Sequence, residues 1–393
     1  MSAVALQERT GWRRDTADRD AVLAELSATL FASLPRSDQR SRGETYLRGL
    51  LAAHGRKSIR NIAALAGGPA AEQSLHHFVS SSTWDWGPVR RALAHHLARM
   101  APPQAWVVRP MLIPKAGENS VGVERRFSQE AGQVVNAQQA VGVWAATTEQ
   151  AVPVSWRLHL GEAWLGDPLR RRQALIPDTV PAETAGECAV QAYLGTVRTW
   201  GLPVRPVVLD ARRPDTLAAL PRLRAAGVPV LARVDGSLRL AAGEGPAGRA
   251  GELTAQQVLA TARDLRRPVL WRAPEGTVRA LLTTAVRVAL PAPAGRGRDM
   301  LLLAVGEHGG RWPAELWLTD LLNVPPAVLV RLSRLIGRVD DDFEGIADRV
   351  GMRDFTGRSF GGWHRHITLA SAAHAVVALD RARRRTAELD QAC

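Results

Sequence analysis

One stretch, residues 106–123, constrains the fold of this chain more than any other. The run Trp106-Val107-Val108 predicts a short buried strand, the prolines after it predict a break, and Ser120 opens a second predicted strand. The end of a buried strand is where an α/β enzyme would place an acid that holds a metal. This chain has Arg109 followed by Pro110 at that position.

The charge balance of the chain is strongly basic. Its 393 residues include 51 lysines and arginines against 38 acids, which gives a net charge of +13. A balance this basic predicts a polyanionic partner, and nucleic acid is the commonest one. Only Lys57 and Lys115 are lysines, so part of the pattern is a compositional preference for arginine. That preference explains the choice of arginine over lysine but leaves the excess over acids unexplained.

Two classes of protein are disfavoured by simple sequence patterns. No apolar run approaches 18 residues, and the first residues carry charges, so we predict a cytoplasmic protein with no membrane partner. Cys188 and Cys393 are too few for a zinc site of their own or for a disulfide framework.

Periodicity divides the chain into segments of different character. We predict a helical unit at 1–100, the first part of a mixed sheet at 101–235, a β-rich insertion at 236–322, closing helices at 323–380 and a basic tail at 381–393. Predicted strands lie at 106–108, 120–127, 137–147, 152–160, 206–209, 228–234, 269–272, 279–289, 300–305 and 315–319. The main predicted helices after residue 100 lie at 182–200, 216–226, 326–350 and 363–385. An α/β fold with a helix-covered sheet follows from this order.

Asp210 is the acid that the pattern places best for chemistry. It follows the apolar run Val207-Val208-Leu209 directly, so its carboxylate should lie at the carboxyl edge of a central strand. A helix cap is the commoner role for such an acid. A second acidic group, Asp340-Asp341-Asp342, lies in a predicted helix, where successive residues turn by about 100° and only one can face Asp210. The alternative for this group is a solvated acidic turn.

Basic residues and histidines give candidates for contacts with nucleic acid. Arg56 and Lys57 belong to a basic cluster that faces either phosphates or solvent. Arg358, His364 and His366 are candidates for contacts with phosphates or acids, and packing at a helix start is the alternative. The two histidines lack the spacing and the cysteines of a metal site.

Several motifs in a fixed order lead from pattern to resemblance. They are Tyr46-Leu47-x-Gly49-Leu50-Leu51, Arg56-Lys57, Trp84-Asp85, Pro114-Lys115-x-Gly117-x-x-Ser120-Val121-Gly122-Val123, Asn136-x-Gln138, Trp156-Arg157-Leu158, Val208-Leu209-Asp210-Ala211, and Gly357-Arg358-Ser359 to His366. With these motifs the chain resembles bacterial insertion-sequence transposases of the DDE superfamily. The resemblance implies an RNase H-like mixed sheet with flanking helices, a β-rich insertion and an N-terminal helical domain that binds DNA. It also places Lys115 among the DNA-binding residues.

The chemistry that the resemblance implies is metal-dependent cleavage and joining of DNA. Three acids hold two divalent ions, which activate water or a 3′-hydroxyl and stabilise the leaving oxygen. The second acid matches Asp210, and the third falls at Asp340 or Asp341. The first belongs at the strand end that carries Arg109. A guanidinium there reverses the charge of a site that gathers cations, so the triad is degraded.

Our hypothesis for the degraded site is a charge-assisted pair of Arg109 with Asp210, and with Asp340 or Asp341 as further partners. On this hypothesis the chain needs no cofactor. If activity is retained, Mg²⁺ or Mn²⁺ would be held by Asp210 and Asp341.

Three functions stay open from the sequence. The first is a nucleoid-associated protein that binds double-stranded DNA and is defective in cleavage and strand transfer, with a homodimer as one candidate assembly. The second is an active transposase with a rearranged two-metal site, in which Glu118 or Glu124 supplies the missing ligand. The third is an RNase H-like scaffold that binds protein partners.

Overall fold

The computed structural model of the protein describes residues 18–242, 252–272, 277–291, 299–307 and 312–392. Its first part is helical, as the sequence predicts. The helices are α1 (18–31), α2 (Ser37–Ala52), α3 (Ile59–Ala64), α4 (Pro69–His76) and α5 (Trp86–Met100). The apolar stripe of α1, with Leu23, Leu26 and Leu30, is buried, because residues three and four apart share one helix face.

Helix α2 approaches α3 closely at a glycine. A β-carbon at Gly49 would lie 2.2 Å from Cγ2 of Ile62, which is itself fully buried. The motif glycine is therefore explained by the distance between the two helices.

Replacing Gly49 with alanine is expected to lower the free energy of unfolding by about 1–3 kcal/mol, because the added methyl overpacks this contact. Urea unfolding would measure the change. The matched control is Gly337→Ala, an exposed helical position with no atom within 4 Å of the added carbon. The control should be neutral or stabilising by up to about 1 kcal/mol. A similar change in both variants would contradict the packing explanation.

The central sheet is mixed. Its first strands are β1 (Ala105–Pro114), β2 (Glu124–Ser128), β3 (Gln133–Ala146), β4 (Ala151–His159), β5 (Val207–Asp210) and β6 (Val230–Val234). Strand β1 pairs antiparallel with β3 and parallel with β5. Strand β3 also pairs antiparallel with β2 and β4, and β5 pairs parallel with β6.

The strands of the β-rich segment extend this same sheet. They are β7 (Arg239–Ala242), β8 (Glu252–Thr254), β9 (Arg267–Arg272), β10 (Val278–Ala289), β11 (Met300–Glu307) and β12 (Glu315–Thr319). Strand β12 pairs antiparallel with β6 and with β11, so the sheet is continuous through twelve strands within the described residues.

Helices cover both faces of the sheet. They are α6 (Glu162–Leu165), α7 (Pro168–Gln173), α8 (Ala185–Tyr193), α9 (Pro214–Leu217), α10 (Ala219–Ala225), α11 (Ala255–Thr261), α12 (Pro326–Ser333), α13 (Leu335–Asp342) and α14 (Phe360–Ala392). On β4, Trp156 bonds Ser371 of α14, whereas Arg157 bonds Glu183 just before α8. Successive strand residues point to opposite faces, so α8 and α14 lie on opposite sides. The RNase H-like α/β fold class is thereby confirmed.

Several predicted boundaries were wrong. Strand β1 continues through Pro110 instead of breaking there, because β5 pairs only with Trp106 to Val108 and leaves the following edge without a parallel partner. The segment at Ser120 is a turn, with Gly122 at φ +77°, and the second strand begins at Glu124.

The single helix predicted at 326–350 is divided into α12, α13 and a π-helical turn, Phe343–Ala347. The first division follows Ser333, whose hydroxyl donates to the carbonyl of Val330, a local bond that competes with the helix ladder. Helix α14 continues through the segment predicted as a basic tail. No helix of the described residues is long and apolar enough to cross a membrane.

Candidate functional site

The parallel pairing of β1 with β5 brings the two predicted site positions together. Val108 lies opposite Leu209, so the next residues along each strand, Arg109 and Asp210, stand side by side at the strand ends. Helix α13 packs against both strands and carries Asp340 to the same place. The structure thus brings Arg109, Asp210 and the aspartate helix to one edge of the sheet.

Arg109 is held by α13 and by the π-helical turn after it. Its Nε donates to Oδ1 of Asp340 over 2.7 Å, and its guanidinium carbon lies 4.1 Å from the centre of the Phe343 ring. The side chains of Arg109 and Asp340 are 24% and 46% exposed, so solvent screens the pair and its contribution is at most about 1 kcal/mol. The contact with Phe343 adds about 0.5–1 kcal/mol.

Asp210 pairs with Arg212 rather than with Arg109, so that part of our hypothesis was wrong. Nε of Arg212 donates to Oδ1 of Asp210 over 2.9 Å, and the backbone N–H of Arg212 donates to the same oxygen over 3.1 Å. This bond with Asp210 raises the pKa of the Arg212 guanidinium. Arg212 reaches Asp210 with both its side chain and its backbone N–H, whereas the guanidinium of Arg109 is turned toward Asp340.

The three consecutive aspartates face three directions, as helix geometry requires. Asp340 faces Arg109, whereas Asp341 is exposed. Asp342 is buried, where it accepts bonds from Arg338 over 2.6 Å and from the backbone N–H of Ala151 over 2.7 Å. Burial raises the pKa of Asp342. Asp342 therefore ties α13 to the start of β4.

The residues at this edge do not fit a two-metal site. Within the described ranges, no group of three or more acids, histidines or cysteines is close enough to hold a metal ion. Glu118 is exposed, and Glu124 bonds Arg126 over 2.7 Å. Glu124 is paired with Ala137, opposite Pro114, which is about 17 Å from Arg109 along the strand at ~3.4 Å per residue. Neither glutamate replaces the missing acid in this geometry.

His364 was wrongly expected to contact phosphate. Its ring is buried and stacked on Trp86, with ring centres 4.8 Å apart, and its Nδ1 lies 3.1 Å from Nη2 of Arg90. Burial and the nearby arginines, Arg90 first, lower the pKa of His364 well below its usual value. The alternative, packing near a helix start, is what the structure shows.

His366 was wrongly assigned in the same way. Its Nδ1 lies 2.9 Å from the Tyr46 hydroxyl, and its Nε2 lies 2.8 Å from the Gly351 carbonyl oxygen. A neutral imidazole satisfies both contacts, with Tyr46 donating to Nδ1 and Nε2–H donating to Gly351. Burial lowers the pKa of His366 to about 4.

Both lysines hold the chain together instead of facing DNA. Lys57 is buried, and its ammonium donates to the carbonyl of Ala53. Nζ of Lys115 donates to the carbonyl oxygens of Phe355 over 2.6 Å and Arg353 over 3.2 Å. Burial lowers the pKa of Lys115 to about 8.

Two of the predicted DNA contacts have the exposure that the role requires. Arg56 and Arg358 are both exposed, and they stay predictions.

A cleft that the sequence did not reveal opens beside Arg109. Its volume is about 510 Å³. We name it the arginine cleft, because five of its lining residues are arginines. The lining residues that carry the argument are Arg109, Arg125, Arg126, Phe127, Arg213 and Arg353. These residues come from four separate parts of the chain, so no single motif carries them. The alternation of Arg125 and Phe127 along β2, both exposed, is the local signal that could have indicated part of it.

Comparison with known families identifies the family of the chain. A family model described as DDE superfamily endonuclease matches residues 29–290, about two thirds of the chain. The chain belongs to the DDE superfamily of endonucleases. The match includes the strands of Arg109 and Asp210 and ends before α13, which carries Asp340. A search of curated proteins finds no match to this DDE-superfamily chain.

Proposed function

We propose that this DDE-superfamily protein binds double-stranded DNA and neither cleaves nor joins it in Mg²⁺ or Mn²⁺. The observation that carries the proposal is the ion pair of Arg109 with Asp340 at the strand end where the first acid belongs. In this proposal the helices of residues 18–100 contribute to the DNA-binding surface, and the protein acts at the nucleoid.

The charges at the strand ends support the loss of metal chemistry. Asp340 is bonded to Arg109 and Asp210 is bonded to Arg212, so each acid already has a cationic partner. A divalent ion would have to displace a guanidinium from each acid and would then lie beside both positive charges. Coulomb repulsion and the missing ligand both oppose binding of the ion.

Family membership and charge support binding to DNA. The superfamily acts on DNA, and the net charge of +13 favours a polyanion. Arg56 and Arg358 are exposed and available for phosphates. Together they favour this function over that of a scaffold for protein partners.

We expect the affinity for duplex DNA to fall steeply with salt. Each phosphate contacted should contribute about −0.9 to the slope of log K against log salt concentration. Fluorescence anisotropy with a labelled duplex would measure it. In parallel, incubation of plasmid and linear DNA with Mg²⁺ or Mn²⁺ should give no cleaved or joined product. Cleavage that Asp210→Ala abolishes would support the active-transposase alternative. Failure to bind duplex at low salt would support the scaffold.

A further inference from the structure

We propose that the arginine cleft is a binding site for single-stranded DNA that works without a metal ion, with arginines on the phosphates and Phe127 stacked on a base. The inference rests on the proposed function in taking DNA as the ligand. The inference goes beyond the proposed function because it names a second site, the form of DNA that this site accepts and the residues that recognise that DNA.

The size and lining of the cleft fit a charged ligand. A volume of about 510 Å³ lies within the range of roughly 300–1,000 Å³ that small-ligand sites have. Five of its fourteen lining residues are arginines, and Glu130 is its one lining acid. Within the described residues, this cleft therefore presents mainly positive charge to its interior.

The ion pairs of these arginines orient them without closing the cleft. Arg109 is bonded to Asp340, Arg126 to Glu124 and Arg353 to Asp348. None of these three acids lines the cleft, so the carboxylates hold the guanidiniums from outside its wall. A guanidinium has five N–H donors, so the bonds of Arg109 and Arg353 to their acids leave donors for a phosphate oxygen. Arg126 also bonds Gln139 and His159, so it shapes the wall of the cleft.

Phe127 adds a feature that a simple anion site does not need. Phe127 is 60% exposed, and it shares one face of β2 with the exposed Arg125, since the two residues are two apart on a strand. Aromatic rings beside cationic grooves are how proteins hold single strands without sequence preference. In a duplex the base faces are covered by their neighbours, so an exposed ring selects an unpaired base.

The same residues explain how DNA is held where the metal chemistry has been lost. In a metal-dependent member of the superfamily, acids at this strand end would hold the ions that neutralise the phosphate charge. Here Arg109 pairs with the acid and stands at the wall of the cleft, so guanidiniums meet the phosphates directly. Binding should then be indifferent to chelators.

The test is fluorescence anisotropy of the full-length protein with a labelled oligothymidine, in EDTA and in Mg²⁺, beside the duplex used above. The variants are Phe127→Ala and Arg125→Gln. The matched controls are Leu270→Ala, at a side chain 72% exposed in β9, and Arg172→Gln, exposed at the end of α7; neither residue lines the cleft. All four positions are exposed, so folding should be unaffected, which circular dichroism would verify.

We expect equal affinity for the single strand in EDTA and Mg²⁺. Phe127→Ala should weaken it roughly tenfold, because the variant loses one base–aromatic stack. Arg125→Gln should reduce the salt slope by about 0.7, and the controls should bind like the wild type. Competition with tripolyphosphate separates a free-phosphate site from a strand site: only the strand should lose affinity with Phe127→Ala.

Three results would overturn the proposal: loss of single-strand binding in EDTA, wild-type affinity in both cleft variants, or a tripolyphosphate affinity that falls equally with Phe127→Ala. If duplex binding persists in any of these cases, the proposed function stands and only the cleft assignment fails. If the single strand binds through the cleft but the duplex does not bind, the proposed function fails and the cleft assignment stands.

Discussion

Lowering the pH from 7 to 4.5 is expected to reduce the free energy of unfolding by about 2 kcal/mol through His366 alone. Burial lowers the pKa of this histidine from its usual value of 6.5 to about 4. Between those values the unfolded chain binds a proton that the folded chain does not. The stability is therefore complete above pH 6.5 and is lost as the pH falls toward 4.

The contacts of His366 explain why the proton is excluded. A proton on Nδ1 would remove the acceptor that the Tyr46 hydroxyl uses, and the ring is almost fully buried. The charged groups that act on it are Lys115, which lowers its pKa further, and Asp354, which partly opposes that effect. The bond of Nε2 to the Gly351 carbonyl is compatible with either protonation state.

Urea unfolding at several pH values would measure the effect in the wild type, in His366→Gln and in His54→Gln. His54 is exposed and serves as the matched control. Near pH 5 the wild type should lose about 1.4 kcal/mol per pH unit more than His366→Gln. The control should follow the wild type. Equal slopes for the wild type and His366→Gln would mean that the histidine is charged in the folded protein.

Several strands were predicted well because they are rich in apolar residues. The strand predicted at 315–319 is β12 to the residue, and the one predicted at 279–289 begins one residue late. Buried strands contain little besides apolar residues, and composition locates them. Composition does not locate the end of β1. Whether Pro110 breaks a strand depends on which neighbouring strand pairs with that edge.

The two histidines were misjudged for a reason that the sequence does contain. From Trp363 to Val376 every residue of α14 is buried, including Arg365, and a helix that is buried on all sides is central to its domain. The run Ile367-Thr368-Leu369-Ala370-Ser371-Ala372-Ala373 has small and apolar residues on every face, which predicts such a helix. A histidine within it belongs to the core.

The partner of Arg109 lies beyond what the sequence can decide. The sequence left Asp210, Asp340 and Asp341 as alternative partners. Which of them bonds Arg109 depends on the orientation of α13 over the strands and on the presence of Arg212 in the loop. The arginine cleft could not be predicted for the same reason, because its residues converge from β1, β2 and two loops. Contacts between distant segments need the tertiary structure.

Replacing Arg109 with aspartate is expected to make thermal stability depend on Mn²⁺. The change removes the bond to Asp340 and puts a carboxylate beside Asp340 and next to Asp210. Like charges at this distance should lower the free energy of unfolding by about 1–2 kcal/mol in EDTA. A divalent ion that binds the folded state would restore it, by about 2.7 kcal/mol at a hundred times its dissociation constant.

Thermal unfolding in EDTA and in Mn²⁺ measures this, with Arg109→Gln as the matched control. Glutamine removes the same ion pair but supplies no carboxylate, so its midpoint should not respond to Mn²⁺, and neither should that of the wild type. In Arg109→Asp combined with Asp210→Ala the response should disappear, because one of the three acids is missing again. An Arg109→Asp protein indifferent to Mn²⁺ would show that Asp210 and Asp340 no longer converge as ligands. The proposed loss of metal chemistry would then rest on more than the single change at Arg109.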